Sequence, residues 1–421
     1  MRLLKWCLAH VRLLMINSIC LVCYLILTLY ASSVTGHLDS QQEASRWSDG
    51  TIKYHQVSAF MQEGSGIAAD RITEVRSTLQ TKITDASFSS DSVNGRLWVD
   101  AYCAMASESV SKESDLGMAA VDGVNVIGVS DDFFLFHPLS MIAGSCFRAE
   151  SVSKDAVVID EATAWALYGA SDIAGKNVQI GGQNFVISGV YRPSDDKYET
   201  LARGGESYIF MSYDAFSVLH PEASITAYEA VVPNPVKGFA LTALKEAFGE
   251  DENASVSDPV KDLNFSAIEY VDNTARFEAV TLYKKLWYLP RTLMRVNHVA
   301  YPYWENAVRA QEIRVAFLLL FRTIALLIPV LTVIFSVVFF VKKEYSSFKA
   351  FLKKKFSDAI EYLNEKSRIR MERKAEEKAV EEKAEEEKAE EKTEEEKAAE
   401  DKAEEKKEEE KAAEEKAEES E

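Results

Sequence analysis

Residues 155–193 read DAVVIDEATAWALYGASDIAGKNVQIGGQNFVISGVYRP. Asp155–Ile159 is a short, valine-rich apolar run, which predicts a buried strand. Glu161–Tyr168 predicts a helix stopped at Gly169, the residue type that most easily takes a left-handed C-terminal conformation. Asn177–Ile180 and Asn184–Val190 flank Gly181-Gly182. Two glycines allow the positive φ angles of a tight turn, so these segments predict a hairpin.

The same signals continue on both sides. Val121–Val129 predicts a strand. Ser65–Ala86 predicts an amphipathic helix, because Ile67, Ile72, Val75, Leu79 and Ile83 fall near helical spacing. Downstream, Glu229–Val232 predicts a strand and Pro235–Phe248 a helix stopped at Gly249. Strands and helices are interspersed, so the class is α+β.

Two apolar runs enclose this region. Leu13–Ala31 holds 19 residues and no charge, close to the roughly 20 residues a helix needs to cross a bilayer. Arg2, Lys5 and Arg12 precede it, which places the N-terminal side in the cytoplasm. A cleaved signal peptide is the competing reading, with Ala31-Ser32-Ser33 as small residues for cleavage. The run is longer than the usual h-region of about 7–15 residues, which favours a retained anchor. Val315–Val341 carries one charge, Arg322, and is followed by Lys342 and Lys343. Both ends are then expected inside, with residues 32–314 outside. Arg322 either snorkels to the headgroups or makes an intramembrane polar contact to a partner helix. Pro329 is expected to kink the helix or mark a packing site. The unbroken run Tyr303–Arg314 predicts that the second membrane helix extends outward as a stalk. The aromatic residues Tyr283, Trp287, Tyr288, Tyr301, Tyr303 and Trp304 fit either an interfacial belt or packing within the external domain.

Residues 121–193 also carry a family resemblance. Gly128-Val129-Ser130 is followed by Phe133-Phe134, the Ile142-Ala143-Gly144 turn and the Ala156–Asp160 strand. Leu167-Tyr168-Gly169, Ile173-Ala174-Gly175-Lys176 and a hairpin ending in Ser188-Gly189-Val190 complete the series. This order resembles the MacB-like periplasmic core domain of macrolide-exporter-type ABC transporter permeases, the FtsX-like group. The resemblance implies a fold whose glycines serve turns and close strand approach, and it implies no active site. It also implies a membrane subunit that works with a separate cytoplasmic ABC ATPase. Such permeases have four membrane helices, three of them after the external domain, whereas this sequence has one after it. A second permease subunit is the partner that would complete the set. The rival reading is a membrane-anchored extracytoplasmic binding or scaffold protein without an ATPase.

The expected organisation is a cytoplasmic segment 1–12, a membrane helix 13–31, an extracytoplasmic domain with stalk 32–314 and a membrane helix 315–341. A basic amphipathic helix 342–371 and a charged tail 372–421, helical or disordered, follow. On the basic helix, Phe348, Phe351, Leu352, Phe356, Ala359, Ile360 and Leu363 share a face. Lys349, Lys353, Lys354, Lys355 and Lys366 lie opposite. Phe348, Phe351, Leu352, Phe356 and Lys353–Lys355 are the candidate contacts to membrane lipid or to a partner's groove. The tail repeats with a period of 14, seen in Lys374, Lys388, Lys402 and Lys416. It has no large apolar stripe to bury, which argues against a packed coiled coil.

Charge and motifs exclude several functions. The chain has 48 basic and 67 acidic residues, net −19, and residues 373–421 alone contribute −12. With the basic segments removed, residues 32–314 remain at −15, which argues against nucleic acid. There is no GxxxxGK[ST], GxSxG or HExxH motif, and no cofactor is expected. His10, His37, His55, His137, His220 and His298 show no ligand spacing. Cys103 and Cys146 are expected either as an external disulfide or as two free thiols. Cys20 and Cys23 read as small apolar residues of the first membrane helix, with no lipobox around them. Ser130, beside Asp131 and Asp132, reads as a loop or cap residue. The expected chemistry is therefore non-enzymatic.

Overall fold

The computed structural model describes residues 11–48, 50, 52–88, 96–114, 117–147, 154–250, 268–292, 299–343 and 352–371. Two units, Met1–Pro329 and Val330–Glu421, are distinct.

The first unit opens with α1 (Val11–Gly36), a helix with no buried residue, as expected of a lipid-facing span. A single 3-10 turn, Asp39–Gln41, and a short helix α2 (Glu43–Trp47) lead into the sheet. In chain order there follow β1 (Tyr54–Met61), α3 (Ala69–Asp85), β2 (Val99–Ser114), β3 (Gly117–Val129), α4 (Phe133–Phe136) and β4 (Ser140–Gly144). Next come β5 (Ala156–Asp160), α5 (Glu161–Tyr168), β6 (Asn177–Ile180), β7 (Gln183–Arg192), α6 (Lys197–Arg203) and β8 (Tyr208–Ser212). The domain closes with α7 (Tyr213–Leu219), β9 (Ile225–Pro233), α8 (Phe239–Ala247), β10 (Ile268–Asp272) and α9 (Ala279–Thr292). The helix α10 (Tyr303–Lys343) then runs without interruption through Pro329.

Among the described residues ten strands join one sheet in the order β10-β1-β9-β2-β3-β8-β5-β7-β4, with β6 bridging β2 and β7. Only β3/β8 and β5/β7 are parallel. A mixed sheet with interspersed helices is the α+β class expected from the sequence.

Both faces of the sheet are covered. Along β1, Val57, Ala59 and Met61 point to one core, with Ile72, Val75, Leu79 and Ile83 of α3. Phe60 points to a second core, with Trp47, Phe133, Phe136, Phe210, Tyr303 and Trp304. This alternation is the period-2 pleat applied to two buried faces. The expected hairpin is present, with Gly181 and Gly182 at φ 56° and 79°. Gly128 serves a different need: a Cβ there would stand 2.3 Å from Phe216 Cγ, so the α7 helix closes directly on bare backbone.

Ser130 is a tie between strands: its hydroxyl accepts the Tyr102 N–H at 2.9 Å. Cys103 and Cys146 are both free thiols, so the disulfide alternative falls away. Cys103 is sealed in the second core, and burial pushes its thiol pKa well up. Cys146 contacts the Met141 sulfur at 3.7 Å, and burial raises it to about 11.

In the second unit a helix, α11 (352–371), lies within the segment expected to be amphipathic. The charged tail lies outside the described residues.

Candidate functional site

No cluster of His, Cys, Asp and Glu suited to a metal occurs among the described residues. The distinctive chemistry of the external domain is instead where α10 enters it. Tyr303–Arg314 continues the second apolar helix, as expected, but the structure builds this stretch into the protein interior and not into a free-standing stalk. Tyr303, Trp304, Glu305, Ala307, Val308, Gln311, Glu312, Val315, Ala316 and Leu319 are all buried.

Three successive levels hold this end of the helix. At the top, Trp304 packs on Phe133 at 5.4 Å and on the His137 ring at 4.6 Å between centroids. Tyr303 packs on Tyr208 at 4.6 Å. Arg203 is buried among these tyrosines, its guanidinium 4.6 Å from the Tyr208 ring and 4.9 Å from the Tyr303 ring. Asp160 neutralises it at 3.3 Å. Asp160 also caps α5 by accepting the Thr163 N–H and takes the Tyr208 N–H. One carboxylate therefore ties a helix start, a strand and the cation beneath α10.

The middle level is ionic. Arg276, in the turn between β10 and α9, is 2% exposed. It donates to both oxygens of Glu305 at 2.7 and 2.8 Å and to Glu312 at 3.0 Å. Lys285 of α9 also donates to Glu312. Arg309 bridges Glu305 at 2.8 Å and Glu269 of β10 at 2.5 Å. Three cations thus face three carboxylates. Burial works against the charge on Arg276, but Glu305 and Glu312 outweigh it and hold its pKa above the usual value. Burial likewise opposes ionisation of Glu269; the Arg309 charge and the Tyr301 hydroxyl prevail and lower its pKa. Buried charges persist only when paired in this way.

Arg276 has one further acceptor, Gln41 Oε1 at 3.4 Å. Gln41 lies in the turn just after α1. Gln56 fixes that turn by donating to Ser40 O at 2.7 Å and accepting the Glu43 N–H at 3.2 Å. The ends of both long apolar helices therefore meet on one guanidinium.

The lowest level is apolar: Leu282 of α9 packs with Val315, Ala316 and Leu319, and Val34, Phe277 and Leu286 border the group. Arg314 lies over the Tyr30 ring at 5.0 Å.

Of the residues singled out from sequence, Arg322 is half-buried, with its guanidinium 6.0 Å from the Tyr24 ring of α1. In the second unit Leu352 is half-buried, while Lys353, Lys354 and Lys355 are exposed and Phe356 is 66% exposed. Phe348 and Phe351 lie outside the described residues. The aromatic group divides: Tyr303 and Trp304 are core residues, whereas Trp287 is 80% exposed. Sequence reasoning missed Arg276, Glu305, Glu312 and Lys285. A signal existed: Glu305, Arg309 and Glu312 stand at i, i+4 and i+7, one face of a helix flanked by apolar residues.

These features define a membrane-anchored external α+β domain, entered by one apolar helix at each end and gripping the second. The chain belongs to the MacB-like periplasmic core domain family, whose family model matches residues 33–246. Among solved structures it is similar to the extracellular domain of the noncanonic ABC-type transporter YknZ from Gram-positive bacteria. That likeness has 15% identity over 47% of this chain and 96% of that chain, with a TM-score of 0.31. It is also similar to the periplasmic region of MacB from Actinobacillus actinomycetemcomitans. Here identity is 14% over 58% of this chain and 95% of the other, with a TM-score of 0.34. No curated protein matches the chain.

Proposed function

We propose that this chain is the membrane component of an ABC-type transport system, coupling a separate cytoplasmic ATPase to movement of the external domain. The family membership supports the class. The single observation that carries the coupling is the grip of Arg276 on Glu305, Glu312 and Gln41. A helix held by a buried, hydrogen-bonded charge network cannot slide without exposing unpaired charge, at a cost of about 3–5 kcal/mol. Axial or tilting motion of α10 therefore moves the sheet.

In this reading both termini are cytoplasmic, following Arg2, Lys5 and Arg12 at one end and Lys342 and Lys343 at the other. Phe348, Phe351, Leu352 and Phe356, with Lys353–Lys355, form the contact to the ATPase or to anionic lipid at the inner face. A second permease subunit is its partner within the membrane.

The test is purification of the full chain in mild detergent. Recovery of a P-loop ATPase, lost in F356E, is the expected result. If no ATPase is recovered from a membrane extract that retains intact complexes, the coupling proposal fails. The second reading is an anchored external binding or scaffold protein without an ATPase. It predicts that the chain is recovered with envelope partners and that ATPase depletion leaves its behaviour unchanged.

A further inference from the structure

We infer that α9 is a membrane-surface helix whose outward face, Val280, Tyr283 and Trp287, is seated in the lipid of the outer leaflet.

The helix is two-sided. Leu282 and Leu286 face inward, Leu282 being 2% exposed against Val315, Ala316 and Leu319. Val280, Tyr283 and Trp287 recur at i, i+3 and i+7 on the opposite side. Their exposures are 64%, 38% and 80%. Trp287 is the most exposed large apolar side chain among the described residues. Left in water, such a face forfeits the roughly 25 cal/mol per Å² that burial returns.

Depth decides what covers it. Arg314 over Tyr30 and Arg322 over Tyr24 set the register of the antiparallel helices α10 and α1. Ala31, where the first apolar run ends, is then level with the neighbourhood of Arg314. The contacts of α9 run from Glu312, just above that level, through Val315, Ala316 and Leu319 down to Thr323, which hydrogen-bonds the Tyr283 hydroxyl. Thr323 is level with Tyr24, seven residues inward of Ala31, or about 10 Å at 1.5 Å per residue. A helix bedded about 5–10 Å into the headgroup–acyl boundary has this depth.

The surroundings agree. Both spans also expose apolar side chains near these depths, Leu29 at 72% and Phe321 at 57%. An indole at the boundary keeps its ring in the acyl region and its N–H among headgroups, the preferred setting for tryptophan. Lys284, exposed on the same side, can reach lipid phosphates. The occupant is therefore lipid, and α9 sets how far the external domain stands from the bilayer.

This inference rests on the two-pass membrane reading but not on an ATPase. The test uses the full chain carrying W6F, reconstituted into phosphatidylcholine vesicles and recovered by flotation. Lipid brominated near the headgroup end of its chains should quench tryptophan emission, and adding W287F should remove most of that quenching. Iodide in the external buffer should leave the Trp287 emission intact. If W287F leaves the lipid quenching unchanged in floated protein, the inference is overturned. It is overturned equally if Trp287 is quenched by iodide, or by neither agent because protein covers it. Protein that does not float with the vesicles would overturn the two-pass reading itself, and this inference with it.

Discussion

The two ends of the described part of α10 are built from opposite rules. From Tyr303 to Leu319 the helix is treated as core: aromatic residues interlock, and every acidic side chain meets a cation. From Leu320 to Val338 it is mostly aliphatic and exposed, with Leu320, Phe321, Ile324, Leu327 and Phe335 open to their surroundings. Water cannot explain both, since the second stretch would be insoluble and the first needs burial to justify its pairing. Two solvents explain them, protein above and lipid below. One continuous helix thereby carries both kinds of side-chain demand.

This contrast can be broken by mutation. The largest effect is expected for R276A, which strands Glu305 and Glu312 inside the domain without their main cation. A loss of about 3–5 kcal/mol is expected, read as a lowered unfolding midpoint of the full chain in detergent. Unchanged stability would mean the ionic level is not a grip. A matched pair sharpens the comparison: L319A and L327A remove the same atoms from one helix. Leu319 is 6% exposed and Leu327 50%. L319A should cost about 2–3 kcal/mol as a partly buried cavity, while L327A should stay within about 0.5 kcal/mol.

The smallest effect concerns acid. Glu269 has a folded pKa below its ordinary value of 4.5, because Arg309 and Tyr301 outweigh burial. A depressed carboxylate stabilises the fold above its unfolded pKa and loses that contribution as pH falls through the folded value. Glu269 keeps 39% of its side-chain exposure, so screening holds the pair to about 1 kcal/mol or less. E269Q should therefore flatten the acid limb of the stability profile slightly and lower the plateau near neutrality. An unchanged profile would show that Arg309 is fully served by Glu305.

Much of the fold was legible because its signals are local. The strand over Ala156–Asp160, the helix Glu161–Tyr168 with Gly169 behind it, and the Gly181-Gly182 hairpin fall where their own residues put them. The helix around Ile72–Ile83 is likewise its own apolar stripe. The strand β1 was not legible, for a physical reason: His55, Gln56 and Ser58 interrupt its apolar pattern yet are buried. Their partners lie outside the strand, His55 on Asp272, Ser58 on Glu229, and the Gln56 side chain on Ser40 and Glu43. No local window contains those partners. The socket had the same fate: one helical face of Glu305, Arg309 and Glu312 could be seen, but Arg276 arrives from another element. The boundary expected after Arg314 rests on charge, and just beyond it Val315, Ala316 and Leu319 pack with Leu282 of α9.

The place of Arg276 in the sheet has a mechanical corollary. It follows directly after β10, the terminal strand of the order, which is held along one side by five residue pairs to β1, Val57 to Asp272 through Met61 to Ile268. Through Arg276 a load arriving along either long helix is delivered to that margin, whereas Tyr303 and Trp304 of α10 bear on Tyr208 of β8 and Phe133 of α4. The share taken by Arg276 passes from β10 to its neighbour β1, so the β10–β1 seam carries the ionic grip into the sheet.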